Sequence, residues 1–121
     1  MNSVYDVIII GSGPAGLSAG IYAGRARMNA LVIEKQKVGG QILSTSEVEN
    51  YPGGMVCESG PALMERMAGQ AKHFGVEIKS DTVVSVDLPG EIKRVYGEEG
   101  EYSAKAVIIA TGASPRRLGV P

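Results

Sequence analysis

Residues 11–16 read GSGPAG, a Gly-x-Gly-x-x-Gly spacing. The β-branched run VYDVIII (4–10) precedes it and a helix-compatible segment follows. A second apolar run, NALVIEK (29–35), carries Glu34 near its end. Strand, glycine turn, helix, strand and terminal acid together form the dinucleotide fingerprint. Each part has a physical task. Gly11 permits the tight turn, Gly13 lets main chain approach a pyrophosphate because it has no Cβ, and Gly16 allows close helix–strand packing. The free N–H groups of the first helical turn then face the phosphates. Glu34 can accept hydrogen bonds from ribose hydroxyls, and its charge disfavours a 2′-phosphate. The expected ligand of this first site is FAD or NAD, not NADP.

The segment GGQILSTSEVENYPGG (39–54) has neither helical nor strand periodicity. It exceeds the roughly 2–6 residues that usually join a strand to a helix. An NAD site needs little here, whereas a flavin extends further and needs a wall for its ring. Gly39 and Gly40 let main chain lie against a cofactor. Gln41 and Asn50 supply amides that both donate and accept, as the pyrimidine edge of a flavin requires. Ser44, Thr45, Ser46 and Glu47 would suit a solvated loop, but Val48, Tyr51, Pro52, Met55 and Val56 are too apolar and stiff for one. The segment is expected to be an ordered cofactor wall.

The elements that position these residues can be read along the chain. PAGLSAGIYAGRA (14–26) reads as a helix with Pro14 in its first turn. Gly16, Gly20 and Gly24 leave one face bare for close packing. GPALMERMAGQAKHFG (60–75) is an amphipathic helix ending at a C′ glycine. VEIKS (76–80) alternates as a short strand. TVVSVDL (82–88), EIKRVYG (91–97) and EYSAKA (101–106) are separated by turn signals and read as an antiparallel three-stranded meander. AVIIATG (106–112) reads as a further buried strand. The class is α/β, a parallel sheet with a small antiparallel excursion. No helix follows to cover the last strand.

The 121 residues are enough for one domain or part of one. A net charge of -1 gives no electrostatic footprint for nucleic acid, and no polybasic segment offers a hold on an anionic membrane. No stretch reaches the roughly 18 apolar residues of a membrane span, and MNSVYDVIII lacks the basic start of a signal peptide. A cytoplasmic protein is expected. Cys57 is the only cysteine, which excludes an internal disulfide or a cysteine-rich zinc site; it reads as structural or incidental. His73, the only histidine, falls in the second helix and reads as a surface residue, so no metal site is expected.

The motifs GSGPAGLSAGIYAGRA, GGQI…EVENYPG, GPALMERM and IIATGASPRRLGVP occur in this order over essentially the whole chain. In this combination the sequence resembles the N-terminal part of bacterial low-molecular-weight thioredoxin reductases, class II pyridine nucleotide-disulfide oxidoreductases. The glycine fingerprint is shared by many flavoproteins, while GGQ with EVENYPG is far more specific. The resemblance implies a Rossmann-like FAD-binding domain lacking its C-terminal closing segment. Ser12, Gly13, Pro14 and Ala15 would hold the FAD pyrophosphate, with Gly11 and Gly16 shaping the turn. Glu34 and Lys35 would flank the adenosine ribose, and residues 34 to 41 would run beside the cofactor toward its ring. Asn50 would hydrogen-bond the isoalloxazine. Main chain at Val83 or Val84 would meet the adenine, and Ala110, Thr111 and Gly112 would pass close to FAD.

In such enzymes NADPH reduces FAD, the reduced flavin reduces a Cys-x-x-Cys disulfide, and the dithiol reduces thioredoxin. The sequence holds no Cys-x-x-Cys, so no catalytic residue is expected in it, and it holds no second glycine fingerprint for NADPH. By resemblance, residues 1–121 are the first part of a discontinuous FAD domain whose NADPH domain lies beyond them. The parent would be a homodimer, and this chain alone would not turn over. A thioredoxin-reductase-like ferredoxin–NADP reductase and the flavoprotein of an alkyl hydroperoxide reductase system are related alternatives. A nucleotide-binding module without activity, a fragment with no stable cofactor binding, and an NAD-linked dehydrogenase domain are the readings from other classes. The long loop after Glu34 argues against the dehydrogenase.

Overall fold

The computed structural model describes residues 4–35 and 46–112. The expectations at Gly39, Gly40 and Gln41 lie outside the described residues. Eight elements follow in chain order: β1 (Val4–Ile10), α1 (Pro14–Arg25), β2 (Ala30–Glu34), α2 (Gly60–His73), β3 (Glu77–Ser80), β4 (Val83–Asp87), β5 (Lys93–Gly97) and β6 (Glu101–Ile109). The strands form one sheet in the order β3-β2-β1-β6-β5-β4. β3, β2, β1 and β6 run parallel, and β4, β5 and β6 form the antiparallel meander.

β1 is a continuous apolar run because both its faces are covered, as parallel central strands require. Val7 and Ile9 face a cluster with Ala23 of α1, Ala71 of α2, and Val32 and Val76. Ile8 and Ile10 face the other side, against Leu31, Ile33, Val95, Tyr102 and Ala104. The start of β6 and its partner β5 therefore fold over the second face of β1 and β2. Lys79 of β3 sits 5.2 Å from the Tyr102 ring centroid, at the far end of that fold-over. The bare face of α1 is used as its sequence implies: a Cβ on Gly20 would meet Val32 at 3.3 Å, and one on Gly24 would meet Phe74 and Val76 at 2.9 Å.

Two expectations need correction. Residues 101–106 and 106–112 are not separate strands. β6 is one strand whose first half pairs with β5 and whose length pairs with β1, from Ser103 beside Val4 to Ile109 beside Ile10. No turn residue separates the halves, so the ladder simply continues. Nor is the second half buried: Ile108 is 41% and Ile109 61% exposed. Ile108 lies beside Ile9 on the helix-covered face, but α1 and α2 pack over β1 and β2 and leave it bare.

α2 starts at a cap that the sequence reading passed over. Ser59 is its N-cap, and the hydroxyl accepts from the Ala62 N–H at 3.1 Å. At the other end Gly75 has φ +86, the left-handed conformation expected of a C′ glycine. His73 is exposed near this end, as expected.

Candidate functional site

The glycine turn emerges from the carboxyl end of β1, between β2 and β6. From β1 the chain continues to β2 on one side, while β6 lies on the other. This is a topological switch point, where open α/β sheets bind ligands. Gly11 donates its N–H to the Ile33 carbonyl at 2.9 Å, and Ala110 donates to the Ile10 carbonyl at 2.8 Å. The turn is thereby fixed to both neighbouring strands.

Two glycines are sterically required. Gly11 has φ +112, and a Cβ there would lie 2.1 Å from the Ala110 carbonyl oxygen. A Cβ on Gly16 would lie 2.0 Å from the Gly11 carbonyl oxygen. The close approach expected of the fingerprint is thus present: α1 packs directly onto the turn, and the turn onto Ala110 and Thr111. Gly112 also takes a left-handed φ of +74.

α1 begins at Gly13, whose extended backbone carries no side-chain cap, with Pro14 in the first turn. Helix N-termini leave backbone donors for an external acceptor and favour negative charge. Ser12 is buried, and both its N–H (3.0 Å) and its hydroxyl donate to Glu34 Oε2. Glu34 is partly buried and Lys35 exposed. The structure therefore brings Gly11, Ser12, Gly13, Pro14, Ala15, Gly16, Glu34, Lys35, Ala110, Thr111 and Gly112 to one edge of the sheet.

Val83 and Val84 stand near this edge through a shared corner. The Asp81 N–H donates to the Glu34 carbonyl at 2.9 Å, extending the β2–β3 pairing into the β3–β4 connection. The β4–β5 ladder pairs Val83 with Gly97 and Ser85 with Tyr96, so it skips Val84. Such bulges are common beside functional sites, where they redirect main chain. Val84 is 67% exposed at this point.

The Asp81 carboxylate is buried and accepts from the Tyr102 hydroxyl at 2.7 Å and the Glu99 N–H at 3.1 Å. The Tyr102 hydrogen bond is the main cause holding the Asp81 carboxyl below its ordinary value. Burial, then the Asp81 contact, pushes the Tyr102 hydroxyl up to about 12.

The described part of the long loop is ordered by specific contacts. Val48 is buried with Leu17, Leu63, Met64, Met67 and Ala68, directly beside the start of α1. Its N–H donates to the Glu58 carbonyl at 2.8 Å, closing the neck of a compact loop. The buried Glu58 carboxylate receives Arg66 of α2 through two nitrogens, at 2.6 and 2.8 Å, and the Met55 N–H at 3.0 Å. Arg66 also donates to the Gly53 carbonyl at 3.3 Å. This latch escaped the sequence reading, although an acid beside the Ser59 cap and an arginine on the following helix were its signal.

The apolar residues of the loop divide. Among those in the described part, Val48 is buried, whereas Tyr51, Met55 and Val56 are exposed. Tyr51 lies over a groove between α1 and α2 lined by Tyr22, Met67 and Phe74. Stiffness here comes from the latch rather than from general burial. Asn50 is exposed on the loop. Cys57 is exposed with φ +61.

The Arg66 hydrogen bonds, then the Met55 N–H, hold the Glu58 carboxyl at about 2, below its ordinary 4.5. A depressed carboxyl stabilises the fold above its unfolded-state value and loses that contribution as pH falls through the folded one. The thermal midpoint should therefore drop between pH 4.5 and 2. Glu58→Gln should give a lower midpoint at neutral pH and a shallower acid slope, read by circular dichroism. Asp81, depressed in the same direction, should keep the slope from vanishing.

The sequence model of the pyridine nucleotide-disulphide oxidoreductase family matches residues 5–121. The chain belongs to this family. Within it, the chain is 57% identical to a thioredoxin reductase of Peptoclostridium acidaminophilum, over all of this chain and 38% of the relative. The crystal structure of Lactococcus lactis thioredoxin reductase superposes with a TM-score of 0.91 at 43% identity, over 97% of this chain and 38% of that one. A ferredoxin-flavin thioredoxin reductase of Clostridium acetobutylicum superposes at 0.84 with 32% identity, over 95% of this chain and 40% of that one. The chain thus spans about two-fifths of the length of these relatives and corresponds to the N-terminal portion of a thioredoxin-reductase-like flavoprotein. Among the described residues, no helix is long and apolar enough to cross a membrane, and no acid, histidine and cysteine cluster could hold a metal.

Proposed function

We propose that residues 1–121 form the first part of a discontinuous FAD-binding domain, in a homodimeric cytoplasmic enzyme that passes electrons from NADPH through FAD to the disulfide of a thioredoxin-like protein. One observation carries the cofactor assignment. At the β1–β6 switch point, Gly11 and Gly16 leave no room for a Cβ, and an uncapped helix start stands beside Glu34. That cradle suits a pyrophosphate with a ribose next to it.

The residues divide the work of binding. Ser12, Gly13, Pro14 and Ala15 line the pyrophosphate, with the Gly13 and Ala15 N–H groups as its main-chain donors. The Glu34 carboxylate, steadied by Ser12, accepts from ribose hydroxyls, and Lys35 flanks them. Main chain at Val83 or Val84 meets the adenine, while Ala110, Thr111 and Gly112 close the far wall. Gly39, Gly40 and Gln41 continue along the cofactor, and Asn50 hydrogen-bonds the ring. FAD supplies the electron chemistry when bound, and the protein supplies position and electrostatics. The nicotinamide site and the redox cysteine pair belong to the parent beyond these residues.

A visible absorption spectrum of the 121-residue chain, taken after adding FAD and gel filtration, tests the reading. A flavin band that stays with the protein is expected, and Asn50→Ala should shift it. No retained flavin and no adenine nucleotide binding would assign FAD binding to the longer protein alone. The ferredoxin-flavin relative favours a second reading for the electron donor, in which a ferredoxin replaces NADPH ahead of the same flavin.

A further inference from the structure

We propose that Asp81 is a positioning residue for the adenosine end of the cofactor, clamping the strand end that carries Glu34 to the bulged main chain at Val83 and Val84. The inference rests on the FAD reading above and assigns the device that sets its adenine wall.

The geometry has three parts. The backbone of Asp81 is tied to β2, with its N–H on the Glu34 carbonyl at 2.9 Å. Its side chain turns the opposite way, into the meander, where it takes the Tyr102 hydroxyl at 2.7 Å and the Glu99 N–H at 3.1 Å. Thr82, the next residue, then accepts from the Glu98 N–H at 2.9 Å. Asp81 and Thr82 therefore join the ribose-binding strand to the β5–β6 turn at Glu99 and Glu98 and to β6 at Tyr102, just before the ladder skips Val84.

The fit is close. A Cβ on Gly97 would lie 2.2 Å from Asp81 Oδ2, so the carboxylate occupies the space that a side chain there would need. The carboxylate is also a better bridge than an amide. Ionised, it offers only acceptors, and both contacts above are donors. In Asp81→Asn the amide oxygen can keep the Glu99 N–H only by turning NH₂ toward Tyr102, whose hydroxyl must then accept and loses its acceptor for its own proton. The charged acceptor is gone and the Tyr102 bond is reversed, so the corner loosens and Thr82–Val84 are held less firmly relative to Glu34. A carboxylate that merely satisfied buried donors would have no reason to link these two walls of one pocket.

The experiment titrates the 121-residue chain with FAD and separately with ADP, which carries the adenosine and pyrophosphate alone. Asp81→Asn is compared with Ala71→Gly, a core change in the cluster on the other face of the sheet, at a temperature where circular dichroism shows both folded. Asp81→Asn should weaken FAD and ADP by tenfold or more and by similar factors, and amide exchange at Val83 and Val84 should accelerate. Ala71→Gly should leave both affinities unchanged. Equal affinity for Asp81→Asn and wild type overturns the inference and leaves the FAD reading standing. Equal losses in both variants also overturn it, since the effect would then be general loosening. Wild-type chain that binds neither FAD nor ADP overturns the inference for these 121 residues, since the corner then positions no ligand, and assigns FAD binding to the longer protein alone. If Asp81→Asn does not fold, Tyr102→Phe decides: a loss of several-fold supports the clamp, and unchanged binding sinks it.

Discussion

Gly11→Ala should remove FAD retention and lower the unfolding free energy by roughly 2–6 kcal/mol, the sum of two independent costs. The first is backbone strain. Gly11 has φ +112, a conformation essentially reserved for glycine, and holding another residue there costs on the order of 1–3 kcal/mol. The second is a clash. The new Cβ would meet the Ala110 carbonyl oxygen at 2.1 Å, and that atom belongs to main chain bonded across to Ile10. It cannot rotate away as a flexible side chain would, so β6 and the turn must separate, at about 1–3 kcal/mol. Against the roughly 5–15 kcal/mol that stabilises a typical domain, this leaves little. Gly16→Ala meets a comparable obstacle, the Gly11 carbonyl oxygen at 2.0 Å, but has no left-handed φ to maintain. It should therefore cost less stability while still abolishing the cradle. Urea denaturation gives the ranking, and the visible spectrum gives the loss of FAD. A wild-type midpoint for Gly11→Ala would mean that β6 does not press on the turn.

The glycine turn and its place beside Glu34 were legible in the sequence because their pattern is local. Gly11, Gly13 and Gly16 lie within one turn, and Glu34 is placed by the strand that it ends. The failures came where placement depends on distant residues. Strand alternation located 101–106 and 106–112 but could not show that they are one ladder, since the pairing partners are β5 for one half and β1 for the other. The apolar character of AVII implied burial, yet burial needs a covering layer, and α1 and α2 cover β1, β2 and β3 while the end of β6 stays exposed. In the loop, composition flagged Val48, Tyr51, Met55 and Val56 alike, and only Val48 is buried. What orders that segment is a charge pair. An Arg66 on a helix surface reads as a solvated residue until Glu58 is seen buried beneath it. The Asp81–Tyr102 bond, between residues far apart in sequence, left no local pattern at all.

Leu17→Ala should destabilise the chain by about 2–5 kcal/mol, the usual cost of truncating a fully buried leucine. Leu17 is 0% exposed and directly follows Gly16, so the helix that carries the cradle is anchored through it. The same cluster contains Val48, which makes the substitution a test of the loop as well as of the core. If the loop were a solvated connection, Val48→Ala would change stability by no more than about 0.5 kcal/mol. As an integral part of the core, its two lost methyl groups should cost about 2 kcal/mol. Residues that share a cavity couple, so the double variant should depart from the sum of the two by 0.5 kcal/mol or more. Denaturant midpoints of the four proteins in the cycle measure that coupling. A coupled pair means that α1 and the loop fold as one unit, so the proposed cofactor wall would be held by the same contacts that fix the first turn of α1. Strict additivity would separate them, and the loop's order would then rest on the Glu58–Arg66 latch alone.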